Sequence, residues 1–246
     1  MTKTLILIPS RMAATRLPGK PLLQINNLSI ISNVFKRAEE ANIGEVVVAT
    51  EDQEIINDVL KNGGRGILTG NKHKTGTDRI YEAYKKLNIK NVDYILNLQG
   101  DEPNIDKYDI INLNKFMINN NAEIGTLAAT INNNKMLNDK NVVKVITENK
   151  LDKNNFPVAL NFTREDLLNS NQNIYHHIGI YSYKVSALEK FVSLDQTINE
   201  VENKLEQLRA LDNELKINVA LAKSSPIGVD TKEDYLAIKK IMDYKL

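Results

Sequence analysis

The sequence predicts an α/β protein with a parallel or mostly parallel sheet and helices on both faces, and three observations carry that prediction. Short apolar runs alternate with amphipathic stretches from the N-terminus to about Ile105. The first run, Thr4-Leu5-Ile6-Leu7-Ile8, is apolar at nearly every position, as in a parallel strand buried on both faces. Gly and Pro clusters punctuate the run ends, at Pro18-Gly19-Lys20-Pro21, Gly63-Gly64 and Gly100-Asp101-Glu102-Pro103.

The elements follow in order. Ile30, Val34, Ala38 and Ala41 share one helical face, Glu45 to Ala49 reads as a strand, and Ile55 to Leu60 lies in a helix closed by Gly63-Gly64. A short strand spans Gly66 to Leu68, and Asp78 to Leu87 is helical with Ile80, Ala83, Tyr84 and Leu87 on one face. An apolar strand begins at Tyr94. Beyond Ile105 the pattern changes: a helix at Ile105 to Met117 leads to strands at Ile124 to Thr130, Val142 to Thr147, Ala159 to Thr163 and Ile178 to Tyr183. Glu200 to Leu211 reads as a helix burying Val201, Leu205 and Leu208, followed by a strand at Val219 to Ala222 and a closing helix at Lys232 to Met242. There is no internal repeat and no linker long enough to part independent domains.

Composition bounds the function. A chain of 246 residues suits one large α/β domain, or a nucleotide-binding body with a smaller lobe. With 32 basic and 31 acidic residues the net charge is +1, so no global field argues for nucleic acid or an acidic membrane as partner. The absence of cysteine excludes disulfides and thiol catalysis. The apolar stretch before Pro9 is too short for a signal peptide and no run reaches the length of a membrane span, so a cytoplasmic protein is expected.

Chemistry concentrates at two strand ends. Between Ile8 and Pro21 the chain places Arg11, Arg16 and Lys20 among small residues and prolines, with no carboxylate between Lys3 and Glu39 to neutralise them. Such a loop at the carboxyl edge of a sheet is suited to a strongly anionic ligand. Neither GxGxxG nor GxxxxGK[ST] occurs, which removes support for a dinucleotide fingerprint or a P-loop. The second strand end, Asn97-Leu98-Gln99-Gly100-Asp101-Glu102-Pro103, puts a carboxylate where Mg²⁺ is commonly shared with substrate phosphates, Asp101 being the better ligand candidate.

These segments together resemble the 3-deoxy-manno-octulosonate (Kdo) cytidylyltransferase family, among the nucleotidyltransferases that make CMP-activated acidic sugars. The opening pattern is IPSRMAATRLPGKPL at residues 8–22. The blocks TGTDR (75–79), NLQGDEP (97–103), HIGIY (177–181), LEQLR (205–209) and GVDT (228–231) follow in the family's order. The resemblance implies a Rossmann-like, three-layer nucleotide-diphospho-sugar transferase fold with a mostly parallel mixed central sheet and a small substrate and dimerisation lobe. It places the nucleotide-binding body at about 1–130 and 212–246 and the lobe at about 131–211. It implies transfer of CMP from CTP to the anomeric hydroxyl of Kdo, for lipopolysaccharide biosynthesis, by a Mg²⁺-dependent homodimer.

Residue roles follow from the same resemblance. Arg11, Arg16 and Lys20 clamp the triphosphate, with Lys20, Arg11 and Asp101 in the chemistry; Thr77, Asp78 and Arg79 serve the nucleotide. Asp101 and Asp230 hold Mg²⁺, although Asp230 or Thr231 is also placed to cap the closing helix. Gln99, Arg164, His177, Tyr181, Glu206 and Gln207 contact the sugar acid, whereas Arg209 suits an interface or structural salt bridge at least as well as substrate contact. The sequence departs from the family at Ala14, where Ser is common, at Asn161 in place of an aromatic, at Asn203 in place of Glu, and in lacking Ile-Pro after Arg164. Apart from Ala14 these fall in the sugar-binding half and leave open a modified Kdo of the 8-amino type. A sialic-acid-type cytidylyltransferase and a non-enzymatic nucleotide sensor or scaffold are the competing readings; LEQLR with GVDT disfavours the first and the retained Lys20 and acidic residues disfavour the second.

Overall fold

The computed structural model describes residues 2–13, 16–223 and 225–243. Its chain forms two compact units, Met1–Ile111 with Pro226–Leu246, and Asn112–Ser225.

The first unit carries the expected parallel sheet. Strand β1 (Thr4–Ser10) pairs in parallel with β4 (Gly44–Thr50) on one side and β6 (Tyr94–Asn97) on the other, and β5 (Gly66–Leu68) extends β4. Leu5 to Ile8 are at most 1% exposed, which is why the run shows no polar alternation. Between the strands lie α1 (Ile30–Ala41), α2 (Gln53–Lys61) and α3 (Gly76–Leu87). Ser29 caps α1 by accepting from Ser32 N, and Thr75 caps α3 by accepting from Asp78 N. A hairpin of β2 (Gln24–Ile25) and β3 (Leu28–Ser29) turns through Asn26 and Asn27, both at positive φ. The C-terminal helix (Lys232–Asp243) buries Ile238 and Met242 against Ile25, Ile30 and Val229.

The chain leaves the first unit within α4 (Lys107–Asn119). In the second unit β7 (Ile124–Ala129) pairs in parallel with β11 (Ile217–Leu221) and antiparallel with β10 (Asn173–Lys184); β10 continues antiparallel to β8 (Lys144–Thr147), and β8 to β9 (Ala159–Thr163). Its helices are short: α5 (Lys135–Asn138), α6 (Val185–Ser193), α7 (Ile198–Asn203) and α8 (Leu208–Asp212).

One sequence expectation is corrected here. The helix predicted over Glu200 to Leu211 is two helices, because Lys204 adopts the left-handed conformation and ends α7. Val201 is consequently 57% exposed, while Leu205 and Leu208 are buried as expected. Glu206 and Gln207 therefore sit in the turn between α7 and α8 rather than on a helix.

Candidate active site

Because β1, β4 and β6 are parallel, the segments after Ser10, Thr50 and Asn97 leave the sheet at one edge. A cleft of about 390 Å³ opens there, and Arg11, Arg16, Lys20, Arg79, Gln99, Asp101 and Asp230 all line it. Two contacts hold the basic loop. Met12 N donates to the Asp52 carboxylate at 2.7 Å, and Leu17 packs on the cluster of Ile25, Ile30, Val229, Ile238 and Met242. Gly19, at φ 71°, then turns the chain into a 3-10 turn over Lys20–Leu22, a conformation that costs a residue without Cβ little. Ala14 and Thr15, including the position where the family commonly has Ser, lie outside the described residues.

The charged groups meet around Lys20. Its ammonium lies 2.7 Å from Asp101 Oδ2 and 3.2 Å from Asp230 Oδ1, and Arg16 reaches Asp230 Oδ2 at 2.9 Å. Burial acts to lower the Lys20 pKa, but the carboxylates of Asp101 and then Asp230 outweigh it and hold the pKa above the ordinary value. Gly100 lets this cluster form: a Cβ there would lie 2.8 Å from the Pro9 carbonyl oxygen, so close approach and not a left-handed backbone fixes the residue. Of the adjacent acids, Asp101 faces the cleft and Glu102 does not. Burial, with the neighbouring Asp101 charge, pushes Glu102 up to about 8, which keeps it protonated at neutral pH.

The capping question for Asp230 is answered by its neighbours. Thr231 Oγ1 accepts from Asp234 N, and the Asp234 carboxylate accepts from the backbone of Asp230 and Thr231. The Asp230 side chain is free of that duty and points to Lys20 and Arg16.

The other expected nucleotide residues, Thr77, Asp78 and Arg79, lie in the first turn of α3. Thr77 is buried and Asp78 is partly buried in the first turn. Arg79 lines the cleft wall with its guanidinium tied to Glu51 at 2.5 Å and Thr69 Oγ1 at 2.6 Å. The sequence reading did not single out His73 and Lys74, and gave no individual role to Thr75 and Gly76 of the TGTDR block; all four line the cleft. The available signal was their position just ahead of an amphipathic helix at the same sheet edge.

Of the expected sugar residues, Gln99 lines the cleft of the first unit, and Arg164, His177, Tyr181, Glu206 and Gln207 lie in the second. Tyr181 OH lies 3.0 Å and Thr126 Oγ1 3.1 Å from His177 Nε2, and Phe162 sets its ring edge-on to the imidazole at 5.0 Å. Burial, then the charges of His176 and Arg164, lower His177 to about 3, so the ring is neutral. Burial, then Tyr183 and Glu206, raise Tyr181 well above its ordinary value. Arg164 donates to the carbonyls of Lys140 and Asn141. Arg209 takes the structural role: its guanidinium makes two bonds to the buried Glu200 carboxylate, at 2.8 and 2.5 Å, and covers the Phe191 ring. Among the departures, Asn161 accepts from Phe162 N and Asn203 bonds back to Asn199.

Solved structures share this fold. The structure of CMP:2-keto-3-deoxy-manno-octonic acid synthetase complexed with CTP superposes at TM-score 0.90 with 32% identity, covering 100% of both chains. UDP-glucose pyrophosphorylase complexed with UDP-glucose, 14% identical, shares the fold at TM-score 0.74 over 100% of both chains. A Rossmann-like α/β sheet with cations and two carboxylates converging at its strand tips defines a nucleotidyltransferase. A family model described as Cytidylyltransferase matches residues 5–217, and 3-deoxy-manno-octulosonate cytidylyltransferases of Rhodopseudomonas palustris (strain BisB18) and Bradyrhizobium sp. (strain ORS 278) are 44% and 43% identical, each aligned over 98% of both chains. The chain belongs to the 3-deoxy-manno-octulosonate cytidylyltransferase family. Among the described residues no helix is long and apolar enough to cross a membrane.

Proposed function

We propose that this chain transfers CMP from CTP to the anomeric hydroxyl of Kdo, releasing pyrophosphate and giving CMP-Kdo for lipopolysaccharide biosynthesis. The observation that carries the reading is the convergence of Arg16, Lys20, Asp101 and Asp230 at one sheet edge in a chain of this family. The hydroxyl oxygen attacks the α-phosphorus as the bond to pyrophosphate breaks. Two anions must approach each other, so neutralisation dominates the barrier.

Arg11, Arg16 and Lys20 bind the triphosphate and stabilise charge moving onto the leaving pyrophosphate. Arg suits paired phosphate oxygens, and the compact Lys20 ammonium follows the migrating charge. Thr77, Asp78 and Arg79 shape the nucleotide side. Gln99, Arg164, His177, Tyr181, Glu206 and Gln207 bind the sugar acid, Arg164 toward its carboxylate. Residues at about 131–211 serve the sugar and a homodimer contact, those at about 1–130 and 212–246 serve the nucleotide, and the enzyme acts in the cytoplasm.

Asp101 and Asp230 fit Mg²⁺: both are hard oxygen donors drawn to a single cation position, now held by Lys20, and two carboxylates plus substrate phosphates is the usual provision for this ion. When bound, Mg²⁺ neutralises phosphate charge and acidifies the sugar hydroxyl, which removes the need for a side-chain base. The test is pyrophosphate release from CTP with Kdo, its 8-amino analogue and N-acetylneuraminate. Turnover with Kdo supports the reading, a clear preference for the 8-amino sugar moves it to a modified Kdo, and activity with N-acetylneuraminate alone overturns it.

A further inference from the structure

Two side chains one turn apart on α3 reach back to the loop before it. Arg79 donates to Thr69 Oγ1 at 2.6 Å and to the Gly70 carbonyl at 3.2 Å. Glu82 accepts from Gly70 N at 3.0 and 3.1 Å, pairs with Lys86 at 2.6 Å, and bonds to His73 Nε2. The Gly70 peptide is thus gripped from both sides, and the imidazole of His73 is fixed with one nitrogen committed.

His73 is the only ring side chain besides proline among the described residues that line the cleft. Gly76 lines the same cleft, and a Cβ there would lie 3.3 Å from Pro9 Cγ, in the strand that leads into the basic loop. The phosphate-directed groups Arg16, Lys20, Asp101 and Asp230 bond to one another and not to His73. Its contact with Glu82 fixes the tautomer. Burial works to raise the Glu82 pKa, yet Lys86, Gly70 N and His73 bring it down to about 2, so at neutral pH its carboxylate only accepts. Nε2 must therefore carry the proton, and in the neutral ring Nδ1 presents a lone pair. Cytosine offers a 4-amino donor where uracil offers a 4-carbonyl acceptor.

We propose that His73 selects the base of the nucleotide, its Nδ1 accepting the 4-amino group of cytosine, and that Glu82 is the positioning residue that fixes the tautomer. The inference rests on CTP being the nucleotide substrate, and uracil would set two acceptors against each other at this point.

The test compares kcat/KM for CTP and UTP in the full chain, the His73→Phe variant and the Glu82→Gln variant. His73→Phe keeps a ring and removes the acceptor; the CTP preference should fall about tenfold or more, through the KM for CTP and not that for the sugar. Glu82→Gln can accept from Gly70 N while its amide donates to Nε2, which moves the ring proton to Nδ1 and should narrow the preference by a similar factor. The chain has only three histidines, so ¹⁵N spectra resolve the tautomer directly: Nε2–H in the parent, Nδ1–H in Glu82→Gln. An unchanged CTP/UTP ratio in a folded His73→Phe, with both KM values raised equally, would overturn the selection role. An Nδ1–H tautomer in the parent would overturn the role of Glu82. A parent that turns over no CTP sinks the parent reading instead, and the His73 resonance titrated with CTP against UTP then decides this one.

Discussion

Lys20 is bonded to both acids proposed to hold the metal, so its removal should have two separable effects. In Lys20→Ala the lost charge matters most as pyrophosphate departs, and kcat should fall about 10²–10³-fold while the KM for CTP changes far less. Steady-state kinetics check this; weaker CTP binding alone would make Lys20 a docking residue. For Asp230→Asn the Thr231–Asp234 capping pair leaves the C-terminal helix intact, so circular dichroism and melting should match the parent while Mg²⁺-dependent turnover is lost. Much of this cluster was legible in sequence, since three cations without a counter-charge and an acid after an apolar strand are local patterns. That the acids would close on Lys20 was not, because Asp101 and Asp230 are brought to it by tertiary packing. His73 was not legible for a related reason: its partner Glu82 lies two turns into α3 and reaches it only through tertiary packing.

At the scale of elements, the buried Glu200–Arg209 pair ties α7 to α8 and so sets the turn carrying Glu206 and Gln207. Replacing Arg209 by Met leaves the Glu200 carboxylate buried without its cation. Stability should drop by about 3–5 kcal/mol, and any folded fraction should show a raised KM for the sugar with that for CTP nearly unchanged. Denaturant melts and two-substrate kinetics test the two halves. The sequence read these residues as one helix because hydrophobic spacing continues through Lys204, and spacing cannot report a left-handed residue. Helix α6 escaped notice because Val185 follows β10 with no Gly or Pro to mark the change. The β2–β3 hairpin escaped because its strands are two residues long, although Asn26-Asn27 is the turn chemistry it needs. Parallel strands such as β1 and β4 were read easily, since burial on both faces leaves a continuous apolar run.

For the whole molecule, the neutral His177 ring ties stability to pH. Its folded pKa of about 3 lies below the ordinary 6.5, so the unfolded chain takes up a proton that the folded chain refuses as pH falls below about 6.5. The contribution is full above that value and is lost progressively toward pH 3. Calorimetry should show the melting temperature falling from pH 7.5 to 5, with a smaller fall in His177→Gln. Equal falls would remove His177 from the account. A different consequence follows from Leu17, which seats the basic loop on Val229, Ile238 and Met242. The ribosome makes the loop some two hundred residues before the Val229, Ile238 and Met242 part of its seat. At synthesis rates of roughly 5–20 residues per second, about 10–40 s separate Lys20 from Asp230. On the proposed roles of Lys20 and Asp230, the CTP site is completed only after Asp230 has been made.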